Sequence, residues 1–265
     1  MNKWIIGARP RTLPAAIAPV VVAVAIAYPD FNFINALLAL IVGLALQIAV
    51  NYANDYSDGI KGTDTERIGP TRLVASGLAN AEEVKQAAIL AFGIGGVAGL
   101  YLSIRTSYWL IAIGAAAIIA AWRYTGGKNP YGYRGLGEVY VFIFFGLVAT
   151  IGTYYGQTGQ VGIEVIMAAI SNGAVACALL AVNNIRDIEG DTKVGKRTLA
   201  VRLGDTRARR FYMFLIFIAI FTAFTVTVIS VVAIVPAIAL LKAIQYKKGR
   251  ELIEVLGATG KFQLI

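Results

Sequence analysis

The chain has 265 residues, 58% of them hydrophobic and 15% charged, at a mean hydropathy of +0.69, whereas soluble domains are about a quarter charged. This excludes an ordinary water-soluble globule and points to an all-α, polytopic transmembrane helix bundle whose backbone polar groups are satisfied within helices. The net charge of +9 lacks the soluble basic module that nucleic-acid binding needs, and the absence of histidine with a lone Cys177 removes His-based triads, His- or Cys-ligated zinc and haem, leaving carboxylates, Lys, Arg and Tyr to carry chemistry.

In chain order, apolar runs of bilayer length cover 13–28, 33–53, 86–104, 108–123, 139–155 and 163–182. The first also fits a cleaved signal peptide ending at Ala25-Ile26-Ala27. Pro14 and Pro19 interrupt it, however, and it is read as a retained span. The stretch Phe211 to Leu241 would be about 46 Å long as one helix, well beyond a ~30 Å hydrocarbon core. It is therefore read as two short spans, giving eight. With both termini cytoplasmic, only Arg105 lies outside, so 24 basic residues less one leaves 23 on one side, as the positive-inside bias requires. The whole of 1–265 reads as a single transmembrane domain in the plasma membrane, with its polar chemistry on the cytoplasmic side.

Two acidic clusters stand out. At the cytoplasmic end of the second span, Asn51, Asn54, Asp55 and Asp58 share one helical face, followed by Lys61 and Asp64. At the end of the sixth, Asn183, Asp187 and Asp191 stack at four-residue intervals. Both clusters sit on even-numbered spans, hence on one membrane side. They imply two parallel four-helix pseudo-repeats rather than the inverted repeats of many transporters. Carboxylates so close to hydrocarbon are costly and usually functional. An all-oxygen donor set favours a hard cation such as Mg²⁺, which binds through one or two carboxylates plus substrate phosphates. Capping or a solvated face is the alternative reading of any single Asp.

Cations flank the acids: Lys61, Arg67 and Arg72 after the first cluster, and Lys193, Lys196 and Arg197 after the second. Lys61, Arg67, Arg72, Lys193 and Arg197 are expected to contact diphosphate, although the positive-inside bias explains any one of them equally well. After the fourth span comes a glycine-rich loop from Tyr124 through Lys128 to Glu138. Lys128 is placed on the diphosphate and Tyr124 on either substrate, against the alternative of an interfacial aromatic belt with anchoring cations.

Together these motifs resemble the UbiA superfamily of intramembrane aromatic prenyltransferases, across nearly the whole chain. Asn51 to Asp58, Lys61 to Arg72, Asn183 to Asp187, Gly195-Lys-Arg-Thr-Leu, the opening Arg9-Pro-Arg-Thr-Leu-Pro14 and Pro130 to Gly137 look most like its 1,4-dihydroxy-2-naphthoate polyprenyltransferases, the menaquinone branch. The resemblance implies that Asn51, Asp55, Asp58, Asp187 and Asp191 hold Mg²⁺ and diphosphate, with Asn54, Asp64 and Asn183 as further ligands. It also implies that Tyr124 and Lys128 are the family's Tyr-x-x-x-Lys loop pair. Asp55, Asp58, Asp187, Asp191, Tyr124 and Lys128 are thus the expected catalytic residues. The superfamily usually has nine helices, and a ninth would begin near Gly260.

The expected reaction transfers a polyprenyl group from its diphosphate to the aromatic acceptor with loss of the acceptor's carboxylate, giving a demethylmenaquinone. Other acceptors of the superfamily, namely 4-hydroxybenzoate, homogentisate, chlorophyllide or a glyceryl phosphate, are the alternatives within the enzyme class. A cation-coupled transporter is the rival from outside it.

Overall fold

A computed structural model describes residues 2–63 and 69–265, and every regular element among them is helical. The helices are α1 (Lys3–Ala8), α2 (Pro14–Ala27), α3 (Phe33–Lys61), α4 (Ala81–Arg105), α5 (Trp109–Arg123), α6 (Gly137–Thr158), α7 (Ile163–Arg186), α8 (Ile188–Lys193), α9 (Leu199–Val226), α10 (Ile234–Tyr246) and α11 (Leu252–Phe262).

Among the described residues six helices are long and apolar enough to cross a membrane: α3, α4, α6, α7, α9 and the stretch Val228–Tyr246 that contains α10. The α1 segment and α2 form a pair bent by 51°, and α5 is a shorter apolar helix of 15 residues. Each of the eight expected runs is therefore occupied by one helix. The long apolar stretch does break in two, at Thr227, whose backbone is extended and whose hydroxyl caps the following turn.

Local chemistry sets the ends. Asn32, Asn80 and Thr198 accept hydrogen bonds from the third residue beyond them and so start α3, α4 and α9. Gly62, at φ 68°, stops α3 in the left-handed conformation that side chains disfavour. The stretch 183–210 carries the last turn of α7, α8 and the first turns of α9, and α9 turns at Gly204 (φ 74°, ψ 163°). The tail beyond Lys242 is largely helical as well. Its last helix, α11, returns to the bundle, where Thr259 Oγ1 meets the Tyr212 hydroxyl at 2.8 Å and Gln263 Nε2 donates to the Asn172 carbonyl at 3.4 Å.

In packing, α3 lies along α4 and α7 along α9, one such pair in each half of the chain. The apolar window of α7 is 67% buried, the highest share of any span, so the helix that carries the second acidic cluster is the centre of the bundle. Its close neighbour is α6, whose stretch Phe142–Val148 is π-helical. There a side-chain carbon on Gly146 would come within 2.5 Å of the Gly173 Cα. Such backbone contact is how membrane helices gain dispersion energy without a hydrophobic drive. At the opposite end from the acids, Asn35 joins three helices, donating to the Gly156 carbonyl at 2.8 Å and accepting from Arg105 Nε at 2.9 Å.

Candidate active site

The acidic end of α3 is buried: Asn51 is 3%, Asn54 8%, Asp55 0% and Asp58 3% exposed. Helical spacing puts all four on the face turned into the bundle, and each has a different partner. Asn51 donates to the Ala8 carbonyl at 2.9 Å and to Thr12 Oγ1 at 3.0 Å, and accepts from Gln47 Nε2 at 3.3 Å. Its amide thus clasps the N-terminal segment. Asn54 accepts from Thr125 Oγ1 at 2.8 Å, which ties α3 to the loop after α5. Asp55 receives the backbone N–H of Leu73 (2.8 Å) and of Val74 (3.1 Å), one on each carboxylate oxygen. It fixes the turn that carries Arg72, itself buried.

Asp58 is the acid that faces the second motif. Its Oδ1 accepts from the Tyr133 hydroxyl at 2.6 Å, and its Oδ2 pairs with Lys196 Nζ at 3.1 Å. The Tyr133 ring lies between two cations, with Lys196 Nζ at 4.8 Å and Lys61 Nζ at 5.0 Å from its centroid. Lys61 is anchored by the carbonyls of Thr125 (2.6 Å) and Gly127 (3.2 Å).

The second cluster is not the continuous helical stripe that its spacing predicts. Helix α7 ends at Arg186, and Asp187, at φ −95° and ψ 3°, is the joint before α8. Its carboxylate is held by the adjacent guanidinium, with Arg186 Nε and Nη2 each at 2.7 Å. That guanidinium also lies against Gly69, where an added side-chain carbon would be 3.1 Å from Nη2. The chain after the first acidic motif therefore rests on the second. Asp191 caps this joint through its backbone, donating to the Asp187 carbonyl and accepting from the Lys196 N–H, both at 2.8 Å. Asn183 is half-buried on the last turn of α7.

The loop after α5 closes over this arrangement. Tyr124 packs edge-on to Tyr131 at 5.5 Å, and Tyr131 stacks on Tyr140 at 3.9 Å. Burial pushes the Tyr124 phenol well above its ordinary value, and the negative charges of Glu138, Asp58 and Asp191 and the neighbouring Tyr131 add to that. Burial does the same to Tyr131. Both phenols are neutral donors at physiological pH.

The structure thus brings together Asp58, Lys61, Tyr124, Asp187 and Asp191 of the expected set. Lys128, Lys193 and Arg197 have exposed side chains without a side-chain hydrogen bond among the described residues, and Asp64 and Arg67 lie outside the described residues. Sequence reasoning named Lys196 only as a flanking cation and passed over Tyr133, Arg186, Glu138 and Asn184. The signal for Arg186 lay inside the motif itself, next to Asp187.

Among the described residues no three His, Cys, Asp or Glu side chains cluster closely enough to hold an ion alone. Carboxylate oxygens are the donors a hard cation prefers, but those of Asp58 are engaged by Tyr133 and Lys196 and those of Asp187 by Arg186, so an ion held here would depend on an anionic ligand to complete its shell.

Known proteins resemble this chain in sequence and in fold. The UbiA prenyltransferase family profile matches residues 16–252. A Mycobacterium tuberculosis protein named 1,4-dihydroxy-2-naphthoate octaprenyltransferase is 48% identical over 99% of this chain and 93% of its own. The Escherichia coli protein of the same name is 41% identical over 80% and 72%, respectively. A UbiA homolog from Archaeoglobus fulgidus, solved bound to DMAPP and Mg²⁺, has the same fold at a TM-score of 0.72 and 14% identity, over 99% of both chains. An apo UbiA homolog from Aeropyrum pernix K1 gives 0.71 at 17%, over 96% and 94%.

Proposed function

This chain belongs to the UbiA prenyltransferase family, and from that premise we propose that it transfers a polyprenyl group from polyprenyl diphosphate to 1,4-dihydroxy-2-naphthoate, with loss of CO₂, in menaquinone synthesis. The observation that carries the reading is the Lys196–Asp58 contact: it brings the ends of both acidic motifs to one pole of the bundle, as a diphosphate site built from two motifs requires. The names of relatives at 48% and 41% identity supply the acceptor.

Residues 1–265 act as one domain of a multi-pass membrane protein. The acidic pole, both termini and all the basic residues except Arg105 face the cytoplasm across the plasma membrane. Asp58, Asp187 and Asp191 would hold Mg²⁺ jointly with the diphosphate, with Asn54, Asn183 and Asp64 as further ligands and with Asn51 and Asp55 as the frame of the site. When bound, the ion supplies electrostatic stabilisation of the charge that builds on the departing diphosphate.

The remaining work falls to side chains of this chain. Lys61 and Lys196, with Arg72 and Arg67, offer cationic donors to the diphosphate oxygens; such fixed donors in a site sealed from water cost no reorganisation as charge develops. Breaking the allylic C–O bond leaves a cation at the terminal prenyl carbon, and the electron-rich acceptor ring attacks it. Loss of CO₂ then returns the C–C bonding pair to the ring. The packed rings of Tyr124, Tyr131 and Tyr140 would offer this cation aromatic faces that attract it without capturing it.

The test is incubation of the purified protein in lipid nanodiscs with a polyprenyl diphosphate, Mg²⁺ and dihydroxynaphthoate. The prenylated, decarboxylated product and one equivalent of diphosphate are expected, and both should vanish with EDTA. Prenylation of 4-hydroxybenzoate or a glyceryl phosphate in preference to dihydroxynaphthoate would overturn the acceptor assignment, and ion transport without diphosphate release would overturn the enzyme.

A further inference from the structure

Glu138 opens α6 and is only 5% exposed. Its Oε1 accepts a hydrogen bond from Asn184 Nδ2 at 3.0 Å, while its Oε2 is buried with no hydrogen-bond partner. A buried acceptor without a donor is unfavourable, more so on a carboxylate. Asn184 needs only one acceptor, which the carbonyl of a glutamine would supply equally well. Apart from the N–H of Glu138 itself, which also bears on the carboxyl, the second oxygen is engaged by no other residue among those described.

Its surroundings connect it to the reacting groups. Asn184 is the neighbour of Asn183 in the second acidic motif. The edge of the Tyr124 ring rests on Gly137: a side-chain carbon there would lie 3.3 Å from Cε2 and 3.7 Å from the hydroxyl. Among the charges that act on Tyr124, Glu138 ranks ahead of Asp58 and Asp191. Tyr124 is thus shared between the acidic pole and Glu138, and its hydroxyl has no hydrogen bond among the described residues.

We propose that the Glu138 Oε2 accepts a hydrogen bond from a ring hydroxyl of the aromatic acceptor, with the Tyr124 ring as a cover that moves aside when the acceptor enters. This rests on the reading above, in which the acceptor is a dihydroxynaphthoate. A phenolic hydroxyl that donates to a carboxylate raises electron density at its ortho and para carbons, where the prenyl cation is received, and no proton has to leave. A site built to bond a substrate hydroxyl also rejects analogues that lack it far more strongly than an apolar pocket rejects a misfit. Glu138 would therefore select hydroxylated rings and set the face they present.

Glu138→Gln is the decisive variant, because it keeps the bond from Asn184 and replaces the spare acceptor by a donor. Glu138→Met removes both oxygens. In nanodiscs with saturating polyprenyl diphosphate, Glu138→Gln should raise the KM for dihydroxynaphthoate at least tenfold and leave the KM for polyprenyl diphosphate within twofold. The preference of the wild type for dihydroxy over monohydroxy naphthoates should shrink in the same variant. An unchanged acceptor KM in folded Glu138→Gln, judged by its melting temperature, would overturn the inference, as would an equal rise in both KM values. Wild-type protein inactive on dihydroxynaphthoate would instead overturn the functional reading.

Discussion

Lys196 and Asp58, separated by 138 positions in the chain, form an ion pair at 3.1 Å with side chains only 9% and 5% exposed. The pair closes the acidic pole, since Asp58 ends the face of α3 and Lys196 follows Asp191 in the second motif. A buried carboxylate stripped of its cation is worse placed than one that never had a partner, and breaking such a pair typically costs about 3–5 kcal/mol. Lys196→Met should therefore lower the melting temperature in detergent by several degrees and abolish prenyl transfer. Adding Asp58→Asn should restore much of the melting temperature without restoring activity. A single variant as stable as wild type would show that Asp58 does not depend on Lys196.

Asp55 and Asp191 should separate stability from chemistry. Both Asp55 oxygens hold backbone N–H groups of the Leu73–Val74 turn. Asp55→Asn turns one acceptor into a donor facing a donor, so about 2 kcal/mol of stability should go together with activity. Asp191, half-buried, holds its joint through backbone atoms. Asp191→Asn, which keeps those backbone bonds, should lose Mg²⁺-dependent turnover and still fold, with a smaller drop in melting temperature than Asp55→Asn. Paired melting and product measurements decide this, and a fully active Asp191→Asn would remove that carboxylate from the site.

Much of this pole is legible in the sequence. The 3.6-residue period places Asn51, Asp55 and Asp58 on one face, and the charge bias puts both motifs on one side. The partners are not legible, because several groups of one type compete. Lys193, Lys196 and Arg197 differ little in a linear reading, yet only Lys196 is buried, since the chain turns after α8 through Gly195 at φ 75°. The helix break at Asp187 has no proline or glycine to announce it and follows from the capture of its carboxylate by Arg186. Glu138 reads as the end of a polar loop until α6 carries it under Tyr124.

The tyrosines give a pH prediction. The folded-state values of Tyr124 and Tyr131 lie above the ordinary 10.0, so their contribution to stability is fully present below pH 10 and is lost as pH rises toward the folded-state values. No alkaline limb of the rate profile below pH 10 should belong to these phenols. Tyr124→Phe should lower kcat and leave the limbs where they are. A limb that disappears in this variant would mean that the phenolate takes part.

Helix contact in the apolar layer is equally testable. On Gly146 an added carbon meets Gly173 Cα at 2.5 Å and the Ala169 carbonyl oxygen at 2.9 Å. These are backbone atoms that no rotamer change can move. Gly146→Ala should push α6 from α7 and cost about 1–3 kcal/mol as overpacking does, read as a lower melting temperature. Gly114→Ala, with nothing within 4 Å, is the control and should be neutral or slightly stabilising.

Asn51 offers the sharpest choice between ligand and frame. A metal ligand tolerates exchange of its amide for a carboxylate, which adds charge and binds a hard cation at least as well. A clasp does not. Asn51 Nδ2 donates to the Ala8 carbonyl and to Thr12 Oγ1, and an aspartate there has no hydrogen to give and faces a carbonyl oxygen. Asn51→Asp should therefore weaken the hold on α1 and lower stability by about 1–3 kcal/mol. Faster proteolysis within residues 2–13 should accompany this, while the concentration of Mg²⁺ for half-maximal activity should not fall. Tighter use of Mg²⁺ with an intact N-terminus would return Asn51 to the metal.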